Sequence, residues 1–159
     1  MNFEKGKMRE ILFRGKRIDN GEWVEGQTIV VIHQDDNDLI FMPQRGEDVK
    51  ADPMDGNDRA LTSIYGNYYY QILPQTVGQF TGLTDKNGKK IFEGDIVEFP
   101  DHGNGGTKMG QVQYDDVETL YEIIYEENIC IPLGESFHGF ELEVIRNIHD
   151  NPELLEVMG

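Results

Sequence analysis

A mostly β protein with one short C-terminal helix is the fold that this 159-residue sequence predicts. Three observations carry that expectation. Two Asn-Gly dipeptides, Asn20-Gly21 and Asn87-Gly88, sit between apolar stretches, where a type I′ hairpin would need positive φ at both central positions. The apolar runs are short and rich in β-branched and aromatic residues, a composition that suits strands better than helices. Finally, Gly94-Asp95-Ile96-Val97, a glycine-rich loop and Gly110-Gln111-Val112 follow one another in the order in which small SH3-like barrels often begin. The expected organisation is a strand-rich portion over residues 1–78, followed by an SH3-like barrel with the helix over 79–159.

Taken in order, Ile11-Leu12-Phe13 leads through Lys16-Arg17-Ile18 and the first Asn-Gly to Trp23-Val24-Glu25, a predicted hairpin. Thr28 to His33 is a β-branched run, broken by Gln34 to Asp38 and resumed by Leu39-Ile40-Phe41-Met42. Residues 43–66 are rich in Asp, Gly and Asn and read as a long irregular segment. Tyr68 to Leu73 reads as a strand ended by Pro74. Gln79 to Leu83 and Ile91 to Phe99 flank the second Asn-Gly, and the latter is the clearest strand region of the chain. Across 117–131 two periods compete. Val117, Leu120, Tyr121, Ile124 and Tyr125 have helical spacing, whereas Tyr121, Ile123, Tyr125, Ile129 and Ile131 alternate as a strand does. The β-branched and aromatic content favours the strand. Phe140 to Ile148 reads as a last strand. Asn151-Pro152-Glu153 then supplies an N-cap, a Pro at the first helical position and an acid in the first turn.

Charge narrows the function classes. Fourteen Lys and Arg face 30 Asp and Glu, for a net charge of −16. Residues 1–92 hold 12 basic and 14 acidic side chains, a net of −2; residues 93–159 hold two basic and 16 acidic, a net of −14. A phosphate backbone is repelled by such a second half, since affinity for nucleic acid comes largely from cations that release counterions. The half reads as a solubilising face, or more sharply as a surface competing for a cationic site on another protein. Lys5, Lys7, Arg9, Arg14, Lys16 and Arg17 form the single basic concentration. With no aromatic platform evident in sequence beside them, they read as a solvated edge, and nucleic-acid binding is the disfavoured alternative. No apolar run approaches a membrane span, Met1 to Lys5 lacks the apolar stretch of a secretory signal, and a lone Cys130 fits a reducing compartment. The expectation is a cytoplasmic protein with no membrane association.

No chemical constellation rises above its bland reading. His33, His102, His138 and His149 lack ligand spacing, so no metal and no cofactor are expected. Gly103-Asn104-Gly105-Gly106-Thr107-Lys108 lacks the Gly-Lys-Ser/Thr ending of a phosphate loop and reads as a hairpin loop. Asp52 to Asp58 has calcium-like composition, but Met54 falls where an oxygen ligand is needed. Gly134-Glu135-Ser136-Phe137-His138-Gly139 lacks the second Gly of a nucleophile elbow. The paired acids Asp35-Asp36, Asp115-Asp116 and Glu126-Glu127 read as solvated faces. No catalytic residue is therefore expected. Trp23 and Tyr68-Tyr69-Tyr70 are the candidate interface anchors. On a strand Tyr69 faces opposite to Tyr68 and Tyr70, and core packing is the competing reading.

Met8 to Lys16 with Asp19-Asn20-Gly21-Glu22-Trp23-Val24 resembles the opening of the YopX family of phage and prophage proteins. Thr76 to Leu83 with Asp85 to Val97 resembles its centre, and Glu143 to Leu154 its ending. Arg146 stands where many members have Gly. The resemblance implies a small cytoplasmic protein encoded in a phage or prophage genome, and it transfers no catalytic or ligand-binding residue. The expected function is non-enzymatic binding of a host or phage protein. The alternatives are a nucleic-acid module built on the basic N-terminal segment, or acidic mimicry of nucleic acid. A homo-oligomer through an edge strand or apolar patch is compatible with either.

Overall fold

The computed structural model describes residues 9–34, 37–44, 61–64, 67–134, 137 and 141–158. The described chain is mostly β, with strands joined by antiparallel ladders and one short helix. It divides into two compact units, Leu12–Gln79 and Phe80–Gly159, the second also including the described residues 9–11.

In the first unit β1 (Phe13–Lys16) pairs with β2 (Trp23–Gly26), and Phe13 and Arg14 also pair with Gln79 and Gly78 at the start of β7 (Gly78–Thr84). The β1–β2 connection is a hairpin of another type than expected. Arg17 N–H donates to the Glu22 carbonyl at 3.0 Å, and within the loop Gly21 alone takes a positive φ, +70°. A loop of this length needs the left-handed backbone at one position, and the residue without a Cβ fills it. Then β3 (Val30–Gln34), β4 (Asn37–Gln44), β5 (Leu61–Ile64) and β6 (Asn67–Ile72) form a sheet in the order β3-β4-β6-β5.

Two of these strands enter the segment expected to be irregular over 43–66; residues 45–60 and 65–66 lie outside the described residues. Strand β4 continues through Pro43 because that residue pairs with Tyr69 of β6 and lies beyond Phe41, the last partner β3 offers it. A Pro is tolerated where no neighbour requires its N–H.

The two sheets of this unit pack face to face. Met42, Tyr70 and Ile72 are buried between them, with Phe13, Val24, Ile29, Ile40 and Val77 around them. The close approach depends on two glycines. A Cβ on Gly15 would collide with Ile72 Cγ2, and one on Gly26 would lie 2.7 Å from Met42 Cγ. The 3-10 turn Pro74–Thr76 is tied to β1 by Thr76 Oγ1, which accepts from Lys16 N–H at 2.8 Å and donates to the Leu73 carbonyl at 2.7 Å.

In the second unit β7 turns at Asp85–Lys89 into β8 (Lys90–Phe92). Gly88, not Asn87, holds the positive φ there, so this turn too differs from type I′. Strands β9 (Asp95–Pro100), β10 (Thr107–Asp115), β11 (Leu120–Tyr125), β12 (Ile129–Pro132) and β13 (Glu143–Asn147) form a sheet in the order β12-β11-β10-β9-β13. The ambiguous segment 117–131 is thus a β hairpin. Its alternation buries Ile123 against Val112, while Val117, needed for the helical face, is 86% exposed in a turn.

The core is Ile91, Val97, Phe99, Val112, Ile123, Phe137, Leu142 and Val144, each large apolar side chain contributing about 1.5–3 kcal/mol by burial. Among the described residues this sheet does not close: β12 and β13 are its two ends. The residues flanking β13 bond elsewhere, Lys86 N–H to the Leu142 carbonyl and Ile148 N–H to the Gly94 carbonyl. A bulge between Val144 and Arg146 shifts its register on β9. The last strand begins at Glu143, and Phe140 of the predicted strand lies outside the described residues. The helix α1 spans Glu153–Met158.

Candidate interaction surface

Leu39-Ile40-Phe41-Met42-Pro43 is apolar at every position, so a strand made from it must show apolar side chains on both faces. One face is the core just described: Ile40 opposite Ile72, and Met42 opposite Tyr70. The other face is assembled by register. Val30 lies opposite Phe41 and Ile32 opposite Leu39 across β3–β4, while Phe41 lies opposite Gln71 and Pro43 opposite Tyr69 across β4–β6. Val30 and Ile32 are 37% and 42% exposed, and Leu39, Phe41, Pro43, Tyr69 and Gln71 are half-buried. Val30, Ile32, Leu39, Phe41, Pro43 and Tyr69 therefore form an apolar surface facing away from β1 and β2.

The two sets of aromatic candidates part company here. Tyr70 is core, 4% exposed, with the Arg17 guanidinium 3.9 Å from its ring centroid. Tyr69 lies on the outer face; the Tyr68 side chain lies outside the described residues. Trp23 is half-buried on the outer face of the sheet holding β1 and β2, with Arg14 over its ring at 4.7 Å and Lys16 at 5.5 Å. The strand register places Lys16 directly opposite Trp23 and Arg14 opposite Glu25.

The basic N-terminal segment is thus accompanied by aromatics, which sequence alone did not reveal, but the cations lie on the rings. Arg14 and Arg17 are only 9% and 8% exposed, and Arg17 also holds Asp19 through Nε at 2.9 Å. Packing of this kind is worth about 0.5–2 kcal/mol per stack, and it leaves these guanidiniums largely buried. Arg9 is exposed and lies over the Tyr121 ring at 5.8 Å; Lys5 and Lys7 lie outside the described residues.

The sequence candidates of the acidic half have structural partners. Asp101 Oδ1 accepts from Gly103 N–H at 3.0 Å and Asn104 N–H at 3.3 Å, while Lys108 sits 3.5 Å from Asp101 and 3.3 Å from Glu126. The glycine-rich loop is accordingly a capped β9–β10 hairpin. Asp115 Oδ1 caps its own turn through Val117 and Glu118 N–H. His33 pairs with Asp38 at 2.7 Å, and His102 stacks on Phe137. Burial raises the Cys130 thiol above its usual range, and the neighbouring Glu122 carboxylate adds to this. Asp52 to Asp58, Asp35-Asp36, Ser136 and His138 lie outside the described residues. Among the described residues no three His, Cys, Asp or Glu are grouped to hold a metal ion, and no helix is long and apolar enough to cross a membrane.

The outer face itself went unread in the sequence because the irregular segment was drawn from Pro43 onward. The unbroken apolar run Leu39 to Pro43, which a strand must show on both faces, is the signal for it.

Comparison with known proteins supplies one family. The family described as "YopX protein" matches residues 12–156. No curated protein matches the chain. Among solved structures, protein EF1440 from Enterococcus faecalis is similar at 23% identity and a TM-score of 0.46, covering 91% of this chain and 97% of that one.

Proposed function

This chain belongs to the YopX family, and on that premise we propose that it is a non-enzymatic accessory protein of a phage or prophage genome. Its work is to bind another protein in the bacterial cytoplasm. One observation carries this reading: the outer face of the β3-β4-β6-β5 sheet, where Val30, Ile32, Leu39, Phe41, Pro43 and Tyr69 lie together in half-exposed positions. Contiguous apolar surface with an aromatic anchor is what protein interfaces use at their centre. The acidic second half then keeps the chain soluble and steers its encounters. Its open five-stranded sheet is read as a relative of the SH3-like barrel that serves as scaffold. The low exposure of Arg14 and Arg17 weighs against the nucleic-acid alternative, since a phosphate clamp needs its cations presented to solvent.

The test is a pull-down from a nuclease-treated bacterial lysate at physiological salt, comparing the native chain, Tyr69→Arg, and an unrelated acidic protein. A partner retained by the native chain and lost with Tyr69→Arg, at unchanged thermal stability, supports the reading. Equal capture by all three baits, or turnover of nucleotides or esters by the purified chain, refutes it.

A further inference from the structure

We propose that β3 is a self-pairing edge, along which two copies of this chain join antiparallel to make one continuous sheet from the four strands of each. The inference does not rest on the binding function above: a chain with no foreign partner would still pair in this way.

Among the described residues, β3 is the end strand of its sheet. Val30, Val31 and Ile32 are 37%, 40% and 42% exposed, and consecutive residues of a strand point to opposite faces. Both faces of the strand are therefore half-exposed among the described residues. Alternate residues of such a strand turn N–H and C=O groups outward, ready for another strand. Natural edges are usually blunted with Lys, Pro or a bulge. Residues 26–34 contain no Lys, Arg, Asp, Glu or Pro, and the ladder to β4 runs without a register shift from Val30–Phe41 to Gln34–Asn37.

The chemistry of the strand selects a second copy as the occupant. A two-fold interface must be complementary to itself. About an axis at Val31, Val31 faces its own copy and Val30 faces the second copy's Ile32. Each of these contacts joins β-branched side chains, and no like charges meet in them. In a chain of net charge −16, most surfaces repel a second copy; this edge does not. Pairing also buries the exposed halves of Val30, Val31 and Ile32.

The experiment is sedimentation velocity across the micromolar range on the native chain, on Val31→Lys, on Val31→Glu and on an equimolar mixture of the two variants. Residues directly opposite in an antiparallel pair come within about 5 Å at Cβ, so like charges at Val31 repel and opposite charges attract. The expected result is a native mass twice that of the chain, half that mass for each variant alone, and restoration of the dimer in the mixture. A native chain that stays monomeric, a dimer that survives Val31→Lys, or a mixture that stays monomeric overturns the proposal. If neither variant melts cooperatively, amide exchange of the native chain at low and high concentration decides. Concentration-dependent protection centred on 29–33 supports self-pairing, and its absence there overturns it. A foreign extended peptide that binds β3 of an otherwise monomeric chain also overturns it.

Discussion

Replacing Asp85 probes how one carboxylate joins distant parts of the second unit. Its Oδ1 accepts from Asn87 N–H at 2.8 Å and Lys89 N–H at 2.9 Å within the β7–β8 turn. Its Oδ2 accepts from Val144 N–H at 2.9 Å, 59 residues further along the chain on β13. The residue is 5% exposed. Asp85→Asn keeps an acceptor for the two turn bonds but sets an amide NH2 against the Val144 N–H, donor facing donor. A charge-assisted bond is lost and a buried N–H is left unsatisfied, at a cost of about 2–3 kcal/mol. Asp85→Ala loses all three bonds and is expected to cost about 4 kcal/mol or more.

The pH dependence has a definite sign. Burial pushes this carboxyl upward, but the backbone donors of Val144, Lys89 and Asn87 outweigh it and hold the carboxyl below its ordinary range. A folded-state pKa below the unfolded one gives stability that is fully present above about pH 3.9 and is lost as pH falls through the folded value. Urea titrations of the native chain and Asp85→Asn, at neutral pH and in a series through the carboxylate range, measure both effects. The difference should be largest at neutral pH and shrink on acidification. A difference below about 0.5 kcal/mol at neutral pH, which is ordinary for a neutral surface change, or one that grows with acid, refutes the reasoning.

Further outcomes follow from single contacts. Gly110→Ala should lower stability by about 1–3 kcal/mol through overpacking, because the new Cβ would collide with Ile123 Cγ2 and lie 2.8 Å from the Ile124 carbonyl oxygen. Gly103→Ala, which meets only Asp101 Oδ1 at 3.5 Å, should leave the denaturation midpoint almost unchanged. Arg17→Lys should cost about 1–2 kcal/mol in the same assay, since a lysine can neither stack flat on Tyr70 nor keep both contacts to Asp19. An effect no larger than that of an exposed lysine substitution would show the stack to be energetically idle.

The strands were legible in the sequence because their apolar residues are short, β-branched and bounded by turn residues, as at Ile96-Val97 and Ile123-Ile124. Their turns were less so. Asn20-Gly21 and Asn87-Gly88 marked the right places, yet each loop requires only one left-handed residue, a count fixed by loop length and not by the dipeptide. Whether a sheet closes is set by long-range register, and the Val144–Arg146 bulge that redirects β13 leaves no trace in local composition. The interaction surface was half-visible. Alternation put Tyr69 and Tyr70 on opposite faces, but which face meets solvent depends on Gly15 and Gly26 admitting the β1–β2 hairpin against Ile72 and Met42. The aromatic partners of the basic segment were hidden for the same reason: Trp23 reaches Arg14 and Lys16 only through the β1–β2 register.

Salt separates the self-pairing edge from any interface built on charge. Two chains of −16 repel each other, and that repulsion reaches about 30 Å at 0.01 M salt but only about 8 Å at 0.15 M. The contact proposed at Val30, Val31 and Ile32 contains no ion pair to be screened. Its apolar term does not weaken with salt, and sulfate strengthens it. Raising salt should therefore tighten the dimer, steeply at first and then little once the Debye length falls below the separation of the acidic units. Binding of a cationic partner by the acidic residues after Phe92 must behave oppositely, weakening over the same range. Sedimentation at low and physiological salt reads the first, and a partner titration in the same buffers reads the second. A dimer that dissociates as salt rises would mean that complementary charges hold it, and would place the interface away from the uncharged strand β3.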